Sequence, residues 1–351
     1  MIMKTPMYCK DFRCIADKCQ DNCCIGWEID IDASAAEYYK TVEGSFGDKL
    51  RSNISQCDTP SFILKGERCP FLNEKNLCEI IINLSESKLC QICRDHPRYF
   101  EWFADVKEGG IGLCCEEAAR LIVTSKEKFT TYETECDDIG CDDYNEALYD
   151  MLTFARNEII ATLEKDNLPL KERIASVIAY TKEVQFLADN YCFDKIPIKE
   201  SYPAEDSEAD VNAFLRAFTD LEPIDDKWQN YLQCLIDSSE TLRKNLNELK
   251  DSCDLYLKNI AVYFVWRYFL KGVYDEEIIS KIMLMAVSIA MIKLMYLHKH
   301  LSLTALTDEI CSITAKSYSK ETEYSEENLE KIFDAVYDNP AFSDKNILSI
   351  I

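Results

Sequence analysis

Glycine, proline and histidine are scarce in this chain of 351 residues, which holds nine, nine and three of them. Gly272 is the sole glycine after Gly140, and no proline falls between residues 224 and 339. With so few breakers, the last 210 residues are free to run as long helices, and regular strands are hard to place anywhere. Basic charge is also short. There are 39 Lys and Arg against 63 Asp and Glu, for a net charge of −24. Both the first 141 residues and the remainder are acidic, so the charge belongs to the whole surface. That excludes tight nucleic-acid binding, which needs a basic footprint, and leaves either plain solubility or attraction to a lysine-bearing protein substrate.

Long apolar runs are missing as well. The two longest, at 282–297 and 260–270, are interrupted by Lys293 and Arg267 and fall short of the roughly 20 residues a membrane span requires. They read as buried core helices, without membrane insertion. The opening MIMKTPMYCKDF has no apolar core and no small-residue cleavage site, so it is not a secretory signal, and the chain reads as cytoplasmic. No glycine-rich strand–loop–helix for a nucleotide is present, since GGIG at 109–112 lacks the spacing and runs into a thiol pair.

Cysteine, by contrast, is abundant and clustered: 14 of the 18 precede residue 142. The first cluster is Cys14, Cys19 and the adjacent pair Cys23–Cys24. The second is Cys69, Cys78, Cys90 and Cys93, and the third is Cys114–Cys115. A reducing cytosol disfavours disulfides, so thiols at these gaps point to metal ligation. Zinc sites usually repeat a two-residue gap, and only Cys90 and Cys93 show it here. Thiolates in excess of four suit an iron–sulfur cluster at least as well. A C-x3-C-x2-C triad is absent, because Cys19-x3-Cys23 is followed at once by Cys24. Adjacent cysteines point in different directions, so Cys23 and Cys24 serve either two sites or one ligand and one neighbour. His96, the one histidine among these thiols, reads as structural. Cys57, Cys136 and Cys141 read as free thiols.

Together these patterns predict a mostly α protein. An irregular cysteine-rich metal-binding part over 1–141 is followed by a helical bundle or solenoid-like array over 142–351. Helices are predicted over 142–166, 171–192, about 206–221, 226–249, 251–271, 275–299 and 303–318. Asp275, Glu276 and Glu277 are placed in the first turn of the sixth, and Lys299 and His300 at its end, both favourable to the helix dipole. EWFADVKE at 101–108 reads as one arm of a small hairpin.

The order F-x-C-x4-C-x3-CC, then CPFL and LCEI, then C-R-x-x-P resembles a family of cysteine-cluster zinc- or iron-chelating domains. With the opening KTPMYCKDFRC, the segment CIGWEIDID and the stretch NIAVYFVWRYFLKGVYD at 259–275, it is more similar to the flagellin lysine-N-methylase family. That resemblance implies methylation of flagellin lysines from S-adenosylmethionine, with a bound iron–sulfur cluster of the 4Fe-4S type, and eight candidate thiols leave room for zinc as a second metal. The thiols it carries over are Cys14, Cys19, Cys23, Cys24, Cys69, Cys78, Cys93 and Cys114, with Arg94 and Pro97 beside them. If S-adenosylmethionine is used, a conventional doubly wound sheet does not hold it.

Two further features bear on such chemistry. Glu28, Asp30 and Asp32 alternate with Ile29 and Ile31, which either groups three carboxylates on one face or marks a solvated edge. Arg267 stands in an aromatic helix where an unpaired charge would be costly. It either clamps a cofactor carboxylate, pairs with a core acid or reaches the surface. Arg94 and Arg267 are thus the candidate cofactor-binding residues, at the junction of the two parts. A non-enzymatic zinc- or iron-binding protein and an electron-transfer protein are the competing readings.

Overall fold

The N-terminal strand is the centre of a small sheet that the sequence did not announce. In the computed structural model, which describes all residues but 27, 141–143, 198–207, 225, 250–252 and 304, the strands are β1 (Ile2–Pro6), β2 (Arg98–Phe103), β3 (Val106–Ile111) and β4 (Thr131–Glu135). Their order is β2-β3-β1-β4. β1 runs parallel to β3, with Ile2 opposite Val106, and antiparallel to β4, with Ile2 opposite Glu135. β2 and β3 form a hairpin whose turn lies at 104–105. The expected single arm at 101–108 therefore contains the turn itself.

Short helices fill the rest of the cysteine-rich part: α1 (Ala33–Thr41), α2 (Gly44–Ser52), α3 (Glu79–Asn83), α4 (Gln91–Asp95) and α5 (Glu116–Val123). The helical part holds α6 (Glu146–Leu163), α7 (Leu170–Asp189), α8 (Val211–Arg216), α9 (Asp226–Asp237), α10 (Ser239–Lys244), α11 (Asp254–Tyr268), α12 (Gly272–Asp275), α13 (Ile278–Ser302), α14 (Asp308–Glu323), α15 (Glu326–Asp338) and α16 (Asp344–Ile350). The predicted helix at 226–249 breaks after Asp237, and α15 continues a run that was expected to end near 318. Asp275, Glu276 and Glu277 lie before α13 and not in its first turn: Asp275 ends α12, Glu276 has a positive φ of 59° and Glu277 immediately precedes the next helix without a side-chain capping bond.

α13 is the hub. By length and composition it is apolar enough to cross a membrane, yet its side chains are buried against α7, α11, α14, α15 and α16. A helix apolar all round is stable in this position because every face finds a partner. Each buried Leu, Ile or Met adds about 1.5–3 kcal/mol. The arrangement is a bundle around one central helix, not a solenoid-like array.

Two apolar cores divide the chain. The larger joins Phe12, Phe103, Ile111, Leu113 and α5 to the helices. The smaller gathers Ile29, Ile31, Tyr39, Leu50, Phe62, Phe71 and Ile80 around cysteines. The sheet is fastened to the helices by Arg156, which donates to both oxygens of the buried Glu108 at 2.5 and 2.6 Å. Trp266 Nε1 donates to the Gly109 carbonyl at 3.2 Å beside it.

Candidate functional site

The smaller core is built so that three separated segments bring their sulfurs inward. Ile29 and Ile31 alternate into it, as the sequence indicates, while Glu28 and Asp30 stay exposed. Asp32 has a different task from its neighbours: it caps α1 by accepting from Ala35 N at 3.0 Å and accepts from Gln91 N at 2.7 Å. That second bond anchors the start of α4 against α1. Cys69 N donates to the Cys24 carbonyl at 2.9 Å, and Cys24 N donates to Asn22 Oδ1 at 2.9 Å. Cys78 precedes α3 and Cys90 precedes α4, which sets Cys93 one turn beyond Cys90 on the same side. Arg68 braces the loop between Cys69 and Cys78, donating to the Asn73 carbonyl at 2.6 Å and to Asn76 Oδ1 at 2.8 Å.

Cys69 and Cys90 are buried members of this core, and Cys24, Cys78 and Cys93 pack against it. The thiols influence one another. Burial pushes Cys69 up to about 11, with Cys78 and Cys90 adding to the rise. Cys93 is raised by its hydrogen bond with Cys90, then by burial and by Cys24 and Cys69. Cys23 moves the other way, held down at about 4 by its bond with Cys24 and by His96. Among the described residues, no three Cys, His, Asp or Glu side chains already form a closed metal-binding group.

Cys14, Cys19, Cys23 and Cys115 make a neighbouring set outside that core, and Cys14 and Cys23 are exposed. Cys19 Sγ donates to the Asp21 carbonyl at 3.2 Å. Asp21 is tied to α14 by Lys316 and, at 3.2 Å, by Lys320. Cys114 turns toward the helices. Its thiol is pushed up to about 12 by burial while Tyr324 hydrogen-bonds to it. The Tyr324 hydroxyl lies 2.7 Å from His96 Nδ1, and His96 in turn bonds Cys23. His96 thus links a cysteine loop to the end of α14, a role its isolation in the sequence did not suggest.

Beside Tyr324 is a buried polar cluster. Tyr263 and Arg267 share a face of α11 at a four-residue spacing, and Tyr268 follows Arg267 at the end of the helix. Glu323, whose side chain has no exposed surface, lies 2.8 Å from Arg267. It accepts from the Tyr263 and Tyr268 hydroxyls at 2.8 and 2.7 Å and from Ser319 at 2.5 Å. Tyr263 also accepts from Leu113 N at 3.1 Å, across the junction of the two parts. The Arg267 guanidinium sits over the rings of Tyr99 at 4.6 Å, Tyr268 at 5.2 Å and Tyr263 at 5.9 Å. Burial disfavours its charge, and the surrounding phenols and Glu323 hold it charged. Two hydroxyls in this cluster, those of Tyr8 and Tyr99, are buried without a hydrogen-bond partner.

Arg94 stands elsewhere, half exposed on α4, with Asp95 at 4.0 Å. Of the thiols expected as ligands, Cys24, Cys69, Cys78 and Cys93 share the smaller core, Cys14, Cys19 and Cys23 border it, and Cys114 faces the arginine cluster. Cys90 joins the first group. Its two-residue gap to Cys93 was the sequence clue to that place.

Residues 156–350 match the profile of the FliB lysine N-methylase C-terminal domain. Two curated relatives, the lysine-N-methylases of Salmonella choleraesuis and Salmonella typhimurium, are 24% identical over 136 residues, 36% of this chain and 34% of theirs. The flagellar biosynthetic protein FliU of Salmonella muenchen is 24% identical over 133 residues, 35% of this chain and 77% of that protein. The match thus spans about a third of the length of the two lysine-N-methylases. No solved structure matches. The profile covers more than half of the chain and contains α11, α13 and α14, so the protein belongs to the FliB lysine N-methylase C-terminal domain family.

Proposed function

We propose that this protein is a cytoplasmic methyltransferase that moves methyl groups from S-adenosylmethionine to lysine side chains of flagellin, with a cysteine-bound iron–sulfur cluster beside the site. The observation that carries the reading is the junction itself. The thiol-bearing loops and the Arg267–Glu323 cluster meet through His96, Tyr324 and Cys114. The names of the Salmonella relatives give the reaction class and the flagellar context.

The donor supplies an electrophilic methyl and brings a carboxylate with it. Toward that carboxylate the chain offers Arg267, 16% exposed at its side chain and fixed on one side by Glu323. Arg94 is the second cofactor-binding candidate, at the outer edge of the thiol region. A lysine substrate has to arrive neutral and be aligned in a site that excludes water. The tyrosines around Arg267 supply a closed, aromatic wall for this, and the acidic surface favours approach of a lysine-bearing partner.

The donor set of the smaller core suits a soft-metal group, because several thiols share one apolar setting. Cys24, Cys69, Cys78 and the Cys90–Cys93 pair would hold it. Bound there, it would supply the bracing that the irregular segment lacks. Cys14, Cys19, Cys23 and Cys114 are left for a second metal, with zinc as the candidate.

The test is to incubate purified protein with S-adenosylmethionine and unmodified flagellin and to map lysine methylation by mass spectrometry. Methylated lysines that depend on the donor are expected. A coloured, metal-loaded protein that leaves flagellin unmodified would support a non-enzymatic metal-binding protein instead.

A further inference from the structure

The hydroxyls of Tyr8 and Tyr99 are buried and unpartnered in a cluster where Tyr263, Tyr268, Ser319 and Glu323 are bonded to one another. A buried hydroxyl without a partner is costly, so its retention calls for a ligand or a water. Both lie within electrostatic reach of Arg267, whose guanidinium stacks on the Tyr99 ring. Among the described residues, the polar contacts of Arg267, to Tyr263 and Glu323, leave from one terminal nitrogen. Its Nε and other terminal nitrogen remain as donors.

Glu323 does not cancel this field. Three hydroxyls, from Tyr263, Tyr268 and Ser319, donate to it and disperse its charge. The backbone is shaped to the same end. A Cβ at Gly110 would stand 2.4 Å from the Tyr99 hydroxyl, and one at Gly112 would stand 3.4 Å from Arg267 Nη1 and 3.0 Å from Cys114 Sγ. The short GGIG stretch that fails as a nucleotide loop therefore clears space for Tyr99 and Arg267.

We infer that Tyr8, Tyr99 and Arg267 form a receptor for a carboxylate, the one carried by the amino-acid end of the methyl donor. This rests on the proposed methyl-transfer reading and adds two residues to it. The guanidinium carries a positive charge and can only donate, and both free hydroxyls can turn their hydrogens to the same ligand, so the site favours an anion over an ammonium. A planar carboxylate also matches the open fork of the guanidinium.

The experiment is calorimetric titration of the wild type, Tyr8→Phe, Tyr99→Phe and the double variant with two ligands. The ligands are S-adenosylmethionine and its decarboxylated form, which lacks only the carboxylate. Each Phe variant should weaken S-adenosylmethionine about tenfold or more, as for a hydrogen bond to a charged group. Affinity for the decarboxylated form should be unchanged, and melting temperature unchanged or raised, because the lost hydroxyl had no protein partner. Wild-type affinity in both variants overturns the receptor while the donor reading stands. So does an equal loss for both ligands, or a loss accompanied by a lower melting temperature. A wild type that binds neither ligand overturns the donor reading and the receptor with it.

Discussion

The Tyr324 hydroxyl lies 2.7 Å from His96 Nδ1, joining the end of α14 to the turn that follows Cys90 and Cys93. One residue earlier on α14, Glu323 holds Arg267. Consecutive side chains of one helix end thus face the thiols and the arginine cluster, and that places the candidate site where the two parts of the chain meet.

The Arg267–Glu323 pair gives the first prediction. Arg267→Leu leaves a buried carboxylate without its cation, and such breaks cost about 3–5 kcal/mol. Denaturant unfolding should show that loss and calorimetry should show loss of S-adenosylmethionine binding. Changing Glu323 to Leu in the same chain should restore part of the stability and none of the binding. If binding persists at normal affinity and only the melting temperature moves, Arg267 is a core residue and holds no donor.

Metal content should be coupled to the smaller core. Cys69→Ala and Cys93→Ala remove inward-facing thiols, and Cys90→Ala should act in the same way. Each is predicted to lose metal and to raise hydrogen exchange over 24–95, with α6, α7, α11 and α13 still protected. Residues 98–123 should stay protected too, since they belong to the larger core. Unchanged exchange over 24–95 in metal-free protein refutes the coupling.

Asp21 should clamp the first cysteine loop to α14. Lys316 is buried, and Asp21→Asn leaves its ammonium without the carboxylate that meets it. A loss of about 1–3 kcal/mol is expected, as for a buried charged group that loses its partner. Faster exchange should appear over 12–24. Equal exchange there in both proteins would mean that the loop is held by other contacts.

Lys293 offers a test by pH. Burial beside Lys171 lowers it from 10.5 to about 8, and its ammonium donates to the Ile350 carbonyl at 3.0 Å. Between pH 8 and 10.5 the unfolded chain binds more protons than the folded one, so this group makes stability rise with pH in that window. Below pH 8 the depressed value costs about 3 kcal/mol. Lys293→Met removes the dependence. Its stability relative to wild type should therefore be more favourable at pH 7 than at pH 10.5 by about that amount. A difference that is flat with pH contradicts the assignment.

Much of the helical part was legible because its sequence lacks breakers. Pro169 before α7, Pro223 before α9 and the apolar run of α13 mark elements by local chemistry alone. Ile29 and Ile31 likewise reveal a buried face by alternation. The sheet was not legible, because β1 pairs with partners more than a hundred residues away and its five residues carry no strand pattern of their own. Glu323 was hidden for a similar reason. In KETEYSEEN it looks like one more surface acid, and only the contact of the end of α14 with Arg267 shows it to be that residue's partner. Tyr8 and Tyr99 are ordinary tyrosines until their hydroxyls are seen buried and unpaired.

The central claim, that this chain is built to hold a methyl donor beside its thiols, is tested most directly by titrating S-adenosylmethionine into the purified, metal-loaded protein in a calorimeter. Saturable binding that disappears in Arg267→Leu is the predicted result. An absence of binding to well-folded wild-type protein would contradict the claim.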